Sequence, residues 1–192
     1  MLTHKGTVTL TTPRLTLRRL TMGDARAMYE NWASDDKSTK YLSWDTHKSI
    51  ETTNEVLAKW IPEYDKLDYY HWGFEYIGHV IGAAHFHNLS EKDEKCEIGY
   101  CLGSKWWNKG IMTEAVAEIF RFAFEEVNLY KIYAMYDTEN IGSGRVMQKS
   151  SMQREGYMRE HTKRKDGTRG DMAYYAILKR EWKKIKEEND HA

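Results

Sequence analysis

The stretch Trp107-Asn108-Lys109-Gly110-Ile111-Met112-Thr113 carries no side chain that looks catalytic, yet its place in the chain suits the backbone for anion binding. It follows a strand-like run, KCEIGYCL, and opens an amphipathic one. A helix N-terminus presents N–H groups without partners and about half a positive charge. A phosphate seated there is satisfied by backbone alone. Gly110 removes a Cβ where a ligand would touch the chain. The N–H groups of about Asn108 to Thr113 are therefore expected to seat a pyrophosphate. Neither G-x-x-x-x-G-K-[ST] nor G-x-G-x-x-G is present. A glycine that merely lets the chain turn into a packed helix explains the same residues equally well.

Other chemistry-bearing residues give weaker signals. His85 and His87 alternate on a strand and share a face, but no third ligand is spaced to join them, so no metal is expected. Trp60, Tyr64, Tyr69, Tyr70, His71 and Trp72 form an aromatic stretch that suits either an acceptor pocket or core packing. HTKRKDGTRG is basic and reads best as a solvated hairpin tip.

The elements that must position these residues follow from periodicity. VTLTTPRLTLRRL reads as a first strand with Pro13 near its start. Thr21 and Asp24 form a capping box for a helix to about Trp32. ASDDKSTKYLSWD is a loop, and a second helix starts near Thr46 with Ile50, Leu57 and Ile61 on one stripe. HWGFEYI and HVIGAAHFHNL are strands broken near Gly78, and KCEIGYCL is the next. Val116, Ile119, Phe120, Ala123, Phe124 and Val127 line one face of the helix after Gly110. YKIYAMYD is a strand, Asn140 caps a short helix, two strands flank an Asp-Gly turn, and REWKKIKEEND is a charged helical end. The sum is one mixed α/β domain, mostly antiparallel, whose strand–helix–strand unit makes a parallel pair.

The 192 residues carry 29 Lys and Arg against 29 Asp and Glu, a balance that gives no support to nucleic-acid or anionic-membrane partners. The start, MLTHKGTVTL, lacks the design of a secretory leader, and no apolar run approaches the ~18 residues of a membrane span. Cys96 and Cys101 lie five apart in one strand, on opposite faces, so reduced thiols in a cytoplasmic protein are expected. No surface patch decides the oligomeric state; a homodimer is compatible with the chain.

Four places carry a family resemblance: TTPRLTLRRLTMGDA, CEIGYCLGSKWWNKGIMTEAV, TENIGSGRVMQKS and DMAYYAILKREW. In order and spacing the chain resembles the GNAT superfamily of acyl-CoA-dependent N-acetyltransferases, over about residues 8 to 182. The nearest branch is the ribosomal-protein N-terminal acetyltransferase-like group. The family's phosphate-loop pattern is Q/R-x-x-G-x-G/A; here only Gly110 is kept, and Trp107 and Met112 depart from it.

The resemblance implies a central sheet flanked by helices, with one splayed parallel strand pair, and transfer of acetyl from acetyl-CoA to a primary amine without a metal. It implies acetyl-CoA contacts from Tyr100, Cys101 and Leu102, from Trp107, Asn108, Lys109, Gly110, Ile111, Met112 and Thr113, and from Asn140 and Ser143. Glu97 stands where the family's base often sits, and a structural glutamate is the competing reading. Amides around Gly99 to Cys101 would hold the oxyanion. Many members protonate the leaving thiolate with a tyrosine in the helix after the Asn; this chain has Met147 there, which leaves the Ser143 hydroxyl. The acceptor is open between a protein N-terminal α-amino group and a small amine such as an antibiotic or polyamine. Asp35, Asp36 and Asp45 lie in a loop that would suit a cationic acceptor. A non-catalytic acyl-CoA-binding module is the alternative of another class.

Overall fold

A computed structural model describes residues 1–190. Its eight strands form one sheet in the order β1-β2-β3-β4-β5-β6-β8-β7, mostly antiparallel with a single parallel pair, β5 and β6. The chain divides into two compact units, one of His4–Phe86 with Gly99–Ile119, the other of Met1–Thr3, His87–Ile98 and the described residues from Phe120 onward. Strand β5 (Lys95–Leu102) and helix α4 (Ile111–Glu125) each run through both.

In the first unit, the expected opening strand is two strands. β1 (Leu10–Thr11) and β2 (Leu15–Arg18) pair antiparallel, Leu10 opposite Leu17. Pro13 lacks an N–H, and Thr12 closes the turn: its N–H donates to Leu15 O at 2.9 Å, and its hydroxyl accepts from Leu15 N at 2.9 Å.

The helix expected after Thr21 begins as a capping box, with the Asp24 carboxylate accepting from the Thr21 N–H (2.7 Å) and hydroxyl (2.9 Å). It passes from α1 (Ala25–Met28) into a π-helical turn, Tyr29–Ala33. The acidic loop contains a further turn of helix, α2 (Asp36–Thr39). Helix α3 (Ile50–Trp60) starts four residues later than Thr46, because the residues before it tie down the loop. Thr46 and Thr39 hydroxyls lie 2.6 Å apart, and the His47 N–H donates to Ala33 O at 2.9 Å. Leu20, Met28, Trp32, Leu57 and Val80 close the core between these helices and β3 (His71–Tyr76) and β4 (His79–Ser90).

In the second unit, β6 (Lys131–Asp137) lies beside β8 (Arg169–Leu178), and β8 beside β7 (Gln153–Lys163). Phe120, Ala123, Phe124 and Val127, expected on one helix face, are all buried to 2% exposure or less. Phe124 packs on Trp182 of α6 (Lys179–Asp190), ring centroids 5.7 Å apart. Burial of each large apolar side chain contributes ~1.5–3 kcal/mol, so this face, more than helix propensity, fixes α4. α5 (Ile141–Lys149) connects β6 to β7. Among the described residues no helix is long and apolar enough to cross a membrane.

Candidate active site

In the first unit, Asn108 (φ 60°) and Gly110 (φ 73°) both adopt left-handed backbone on either side of Lys109. Asn tolerates this conformation and glycine adopts it without penalty. The turn delivers Ile111 as the first residue of α4, and the first helical bond runs from Glu114 N to Gly110 O at 3.0 Å. The N–H groups of Ile111, Met112 and Thr113 therefore have no acceptor in the preceding turn.

Arg14 ties this mouth to the β1–β2 turn. It donates from Nε to Glu114 Oε2 at 2.6 Å and from Nη1 to Lys109 O at 2.9 Å. Its Nη2 lies 3.5 Å from where a Cβ on Gly110 would stand. Burial works to raise the Glu114 carboxyl, but the hydrogen bonds from Thr12 and Arg14 outweigh it and hold it below the usual range. Sequence reasoning missed Arg14; its distance of 96 residues from Gly110 left no local signal.

Side chains at the mouth divide by burial. Ile111 and Met112 point into the core at 1% and 6% exposure, while Trp107 is exposed. The Trp107 indole N–H donates to Leu102 O at 2.8 Å, so the residue that departs from the family pattern fastens the loop to the end of β5. Gly103 N–H donates to Ile81 O at 3.0 Å. Peptide groups alternate along a strand, so Cys101 directs its amide toward β4, and Tyr100 and Leu102 direct theirs to the opposite edge. Burial pushes the Cys101 thiol up to about 12, with the Asp35 charge adding to it.

In the second unit, the parallel register runs Lys95↔Lys131, Cys96↔Ile132 and Glu97↔Tyr133, and ends there although both strands continue. Glu97, at the last register position, is only 8% exposed. Asn88 Nδ2 donates to its Oε2 at 2.9 Å, and His87 Nε2 stands 3.9 Å from its Oε1. The Tyr133 phenol is raised first by burial and then by the Glu97 charge. His87 thus attends a carboxylate, and no group of three or more His, Cys, Asp or Glu placed to hold a metal occurs among the described residues.

Asn140 caps α5 as expected, its Oδ1 accepting from Ser143 N at 3.3 Å. Asp137 prepares that turn: Arg164 donates to both its oxygens at 2.7 and 2.9 Å, and Oδ1 also accepts from Glu139 N. Arg164, from the basic hairpin, is therefore an internal clamp and not a solvated tip residue. Ser143 is half-buried in the first turn of α5, and Met147 is buried at 1% exposure.

The acidic loop is otherwise employed. Asp35 Oδ1 accepts from Lys37 N at 3.0 Å, and Oδ2 accepts from the Ser38 hydroxyl at 2.7 Å and Ser104 N at 3.2 Å. Burial opposes these bonds, yet they bring the carboxyl down to about 2. The aromatic stretch is largely core: Tyr70 and Trp72 are buried, and His71 stands 4.4 Å from the Trp60 ring centroid and 5.3 Å from His85.

Comparison with known proteins places the chain in a family. Residues 14–153 match the family model described as an acetyltransferase (GNAT) domain. The chain belongs to this GNAT acetyltransferase family, and is an acyl-CoA-dependent acetyltransferase with acetyl-CoA as cosubstrate. N-acetyltransferase YoaA of Bacillus subtilis, itself uncharacterized, is 31% identical over 88% of this chain and 96% of its own length. The crystal structure of a GNAT-family acetyltransferase from Bacillus anthracis superposes with a TM-score of 0.78 at 29% identity, over 91% of this chain and 100% of that one. The ribosomal protein uS5-alanine N-acetyltransferase of Escherichia coli is 31% identical over 43% of each chain.

Proposed function

We propose that the chain acetylates a protein N-terminal α-amino group by direct attack of the amine on bound acetyl-CoA in a ternary complex, with Glu97 accepting the amine proton. An α-amino group has a pKa near ~8, so much of it is protonated at neutral pH and a proton acceptor is needed. The observation that carries the reading is the setting of Glu97: a carboxylate 8% exposed, held on Oε2 by the neutral Asn88 amide. An amide donor fixes the carboxylate without placing a full positive charge on that oxygen.

The first unit supplies the pyrophosphate seat in this reading. The N–H groups of Ile111, Met112 and Thr113 face the anion, the positive φ of Asn108 and Gly110 shapes the approach, and Arg14 adds a cation beside it. The end of β5, with the Leu102 amide directed away from β4, serves the thioester carbonyl and the pantetheine arm. In the second unit, Asn140 spends its Oδ1 on the helix cap, which leaves its Nδ2 hydrogens for a pantetheine carbonyl.

The name of the Escherichia coli relative supports the N-terminal acceptor. The engagement of Asp35 in helix capping removes one attraction for a polyamine. Both cysteines are free thiols, in keeping with a cytoplasmic enzyme. A thiol-release assay with acetyl-CoA tests the acceptor, using peptides that begin with Ala or Ser beside polyamines and aminoglycosides. Transfer to the peptides is expected, and transfer confined to the small amines would overturn the acceptor assignment.

A further inference from the structure

We propose that the phenol of Tyr136, on β6, is the acid that protonates the departing sulfur of coenzyme A. The inference rests on the acetyl-transfer reading and supplies the one role that Met147 cannot fill.

The geometry comes from one face of α5 and the strand beneath it. Gly144 is buried, and a Cβ built on it would lie 2.6 Å from both Oη and Cζ of Tyr136. The phenol end therefore occupies the space that the missing side chain leaves under the first turns of the helix. Gly144 and Met147 are three apart and share that helix face. Met147 fills its part of the face at 1% exposure with a thioether that has no proton to give. A hydroxyl is thus present on this side of the helix, but it comes from the strand. Tyr136 also lies three residues past Tyr133, where the parallel register of β6 with β5 ends.

Tyr136 lies against Tyr175, ring centroids 5.9 Å apart, and Gln148 Nε2 donates to Tyr175 Oη at 3.3 Å. Burial first, and Tyr175 second, hold the Tyr136 phenol above its ordinary value, so it keeps its proton through the neutral range. Nothing in the mechanism above uses this phenol.

The step balances as follows. The amine nitrogen bonds to the thioester carbon and its proton passes to Glu97. The carbon–sulfur bond breaks, its electron pair goes to sulfur, and the Tyr136 O–H proton moves to sulfur to give the thiol. Tyr136 regains a proton from solvent, and Glu97 returns its proton to solvent.

The test compares Y136F with the wild-type full chain. Calorimetry with acetyl-CoA comes first; absence of binding by the wild-type chain would strike the acetyl-transfer reading itself. With binding established, Y136F is expected to bind acetyl-CoA within about twofold of wild type and to lose about 10²-fold in kcat, the lower end of general acid–base contributions. A second arm places 3-fluorotyrosine at position 136, which keeps the ring's packing and makes the phenol more acidic. The alkaline limb of kcat should then move to lower pH. A Y136F enzyme turning over within about threefold of wild type, or an alkaline limb that the fluorinated residue leaves in place, overturns the proposal.

Discussion

Asn88 donates from Nδ2 to Glu97 Oε2 across 2.9 Å, and it does so from a left-handed backbone, φ 52°. Asn is among the few residues that adopt this conformation readily, so position 88 combines a turn of the strand with a hold on the carboxylate. If Glu97 accepts the amine proton, Glu97→Gln lowers kcat by about 10²-fold or more while the acetyl-CoA Kd hardly changes. Asn88→Ala should cost less, since the carboxylate stays and only its orientation loosens. Steady-state kinetics from pH 6 to 9 decide this; normal turnover of the Gln variant across that range would remove the role.

The pyrophosphate seat is tested by charge. Gly110→Glu brings a carboxylate to the mouth of α4 and should abolish acetyl-CoA binding by calorimetry. It also forces a non-glycine side chain to φ 73°, with a stability loss of about 1–2 kcal/mol. Gly110→Asn, which tolerates the backbone, separates the two effects. Retained affinity in the Glu variant would show that the anion sits elsewhere.

Two glycines of α5 should behave oppositely. A Cβ on Gly144 would meet Tyr136 at 2.6 Å, whereas one on Gly142 would stand 3.7 Å from Asn140 Oδ1. Gly144→Ala is expected to destabilise by about 1–3 kcal/mol through overpacking and to lower kcat as the phenol is displaced. Gly142→Ala should leave the urea midpoint nearly unchanged or raise it. Equal midpoints for the two variants would contradict the close approach.

His71 gives the fold an acid-sensitive point. Burial first, and the charge of His85 second, bring its imidazole down to about 3, against ~6.5 for the unfolded chain. The unfolded state binds more protons between those values, so stability is complete above about pH 6.5 and falls as pH drops toward 3. Urea melts from pH 8 to 4 should show this loss, and His71→Gln should flatten the slope over the same window. A wild-type midpoint constant from pH 7 to 4 would refute the assignment.

Much of the scaffold was legible because its signals are local. The spacing Val116, Ile119, Phe120, Ala123, Phe124, Val127 repeats at the helical period, and burial of every one of these residues follows from it. The Thr21–Asp24 capping box and the Asn140 cap each lie within one turn of chain, and both form. Gly110 is marked by its place between strand and helix. Where local rules compete, reading the sequence failed. Thr12-Pro13-Arg14 made a turn and not a strand interior, because the Thr12 hydroxyl offered the backbone a partner that Pro13 could not. Helix α3 began late because Thr46 and His47 were spent on the loop before it.

By itself the sequence determined the family, through four stretches spread over about residues 8 to 182, and most of the order of strands and helices, the face α4 buries and the glycine at the mouth of that helix. The last two depend on residues within a few turns of one another. Tertiary structure alone decided which side chains attend them: Arg14 at Gly110, Asn88 and His87 at Glu97, Arg164 at Asp137 and Tyr136 beneath Gly144. These partnerships follow from strand register and from turns that bring distant segments side by side, and neither leaves a periodic trace in the chain.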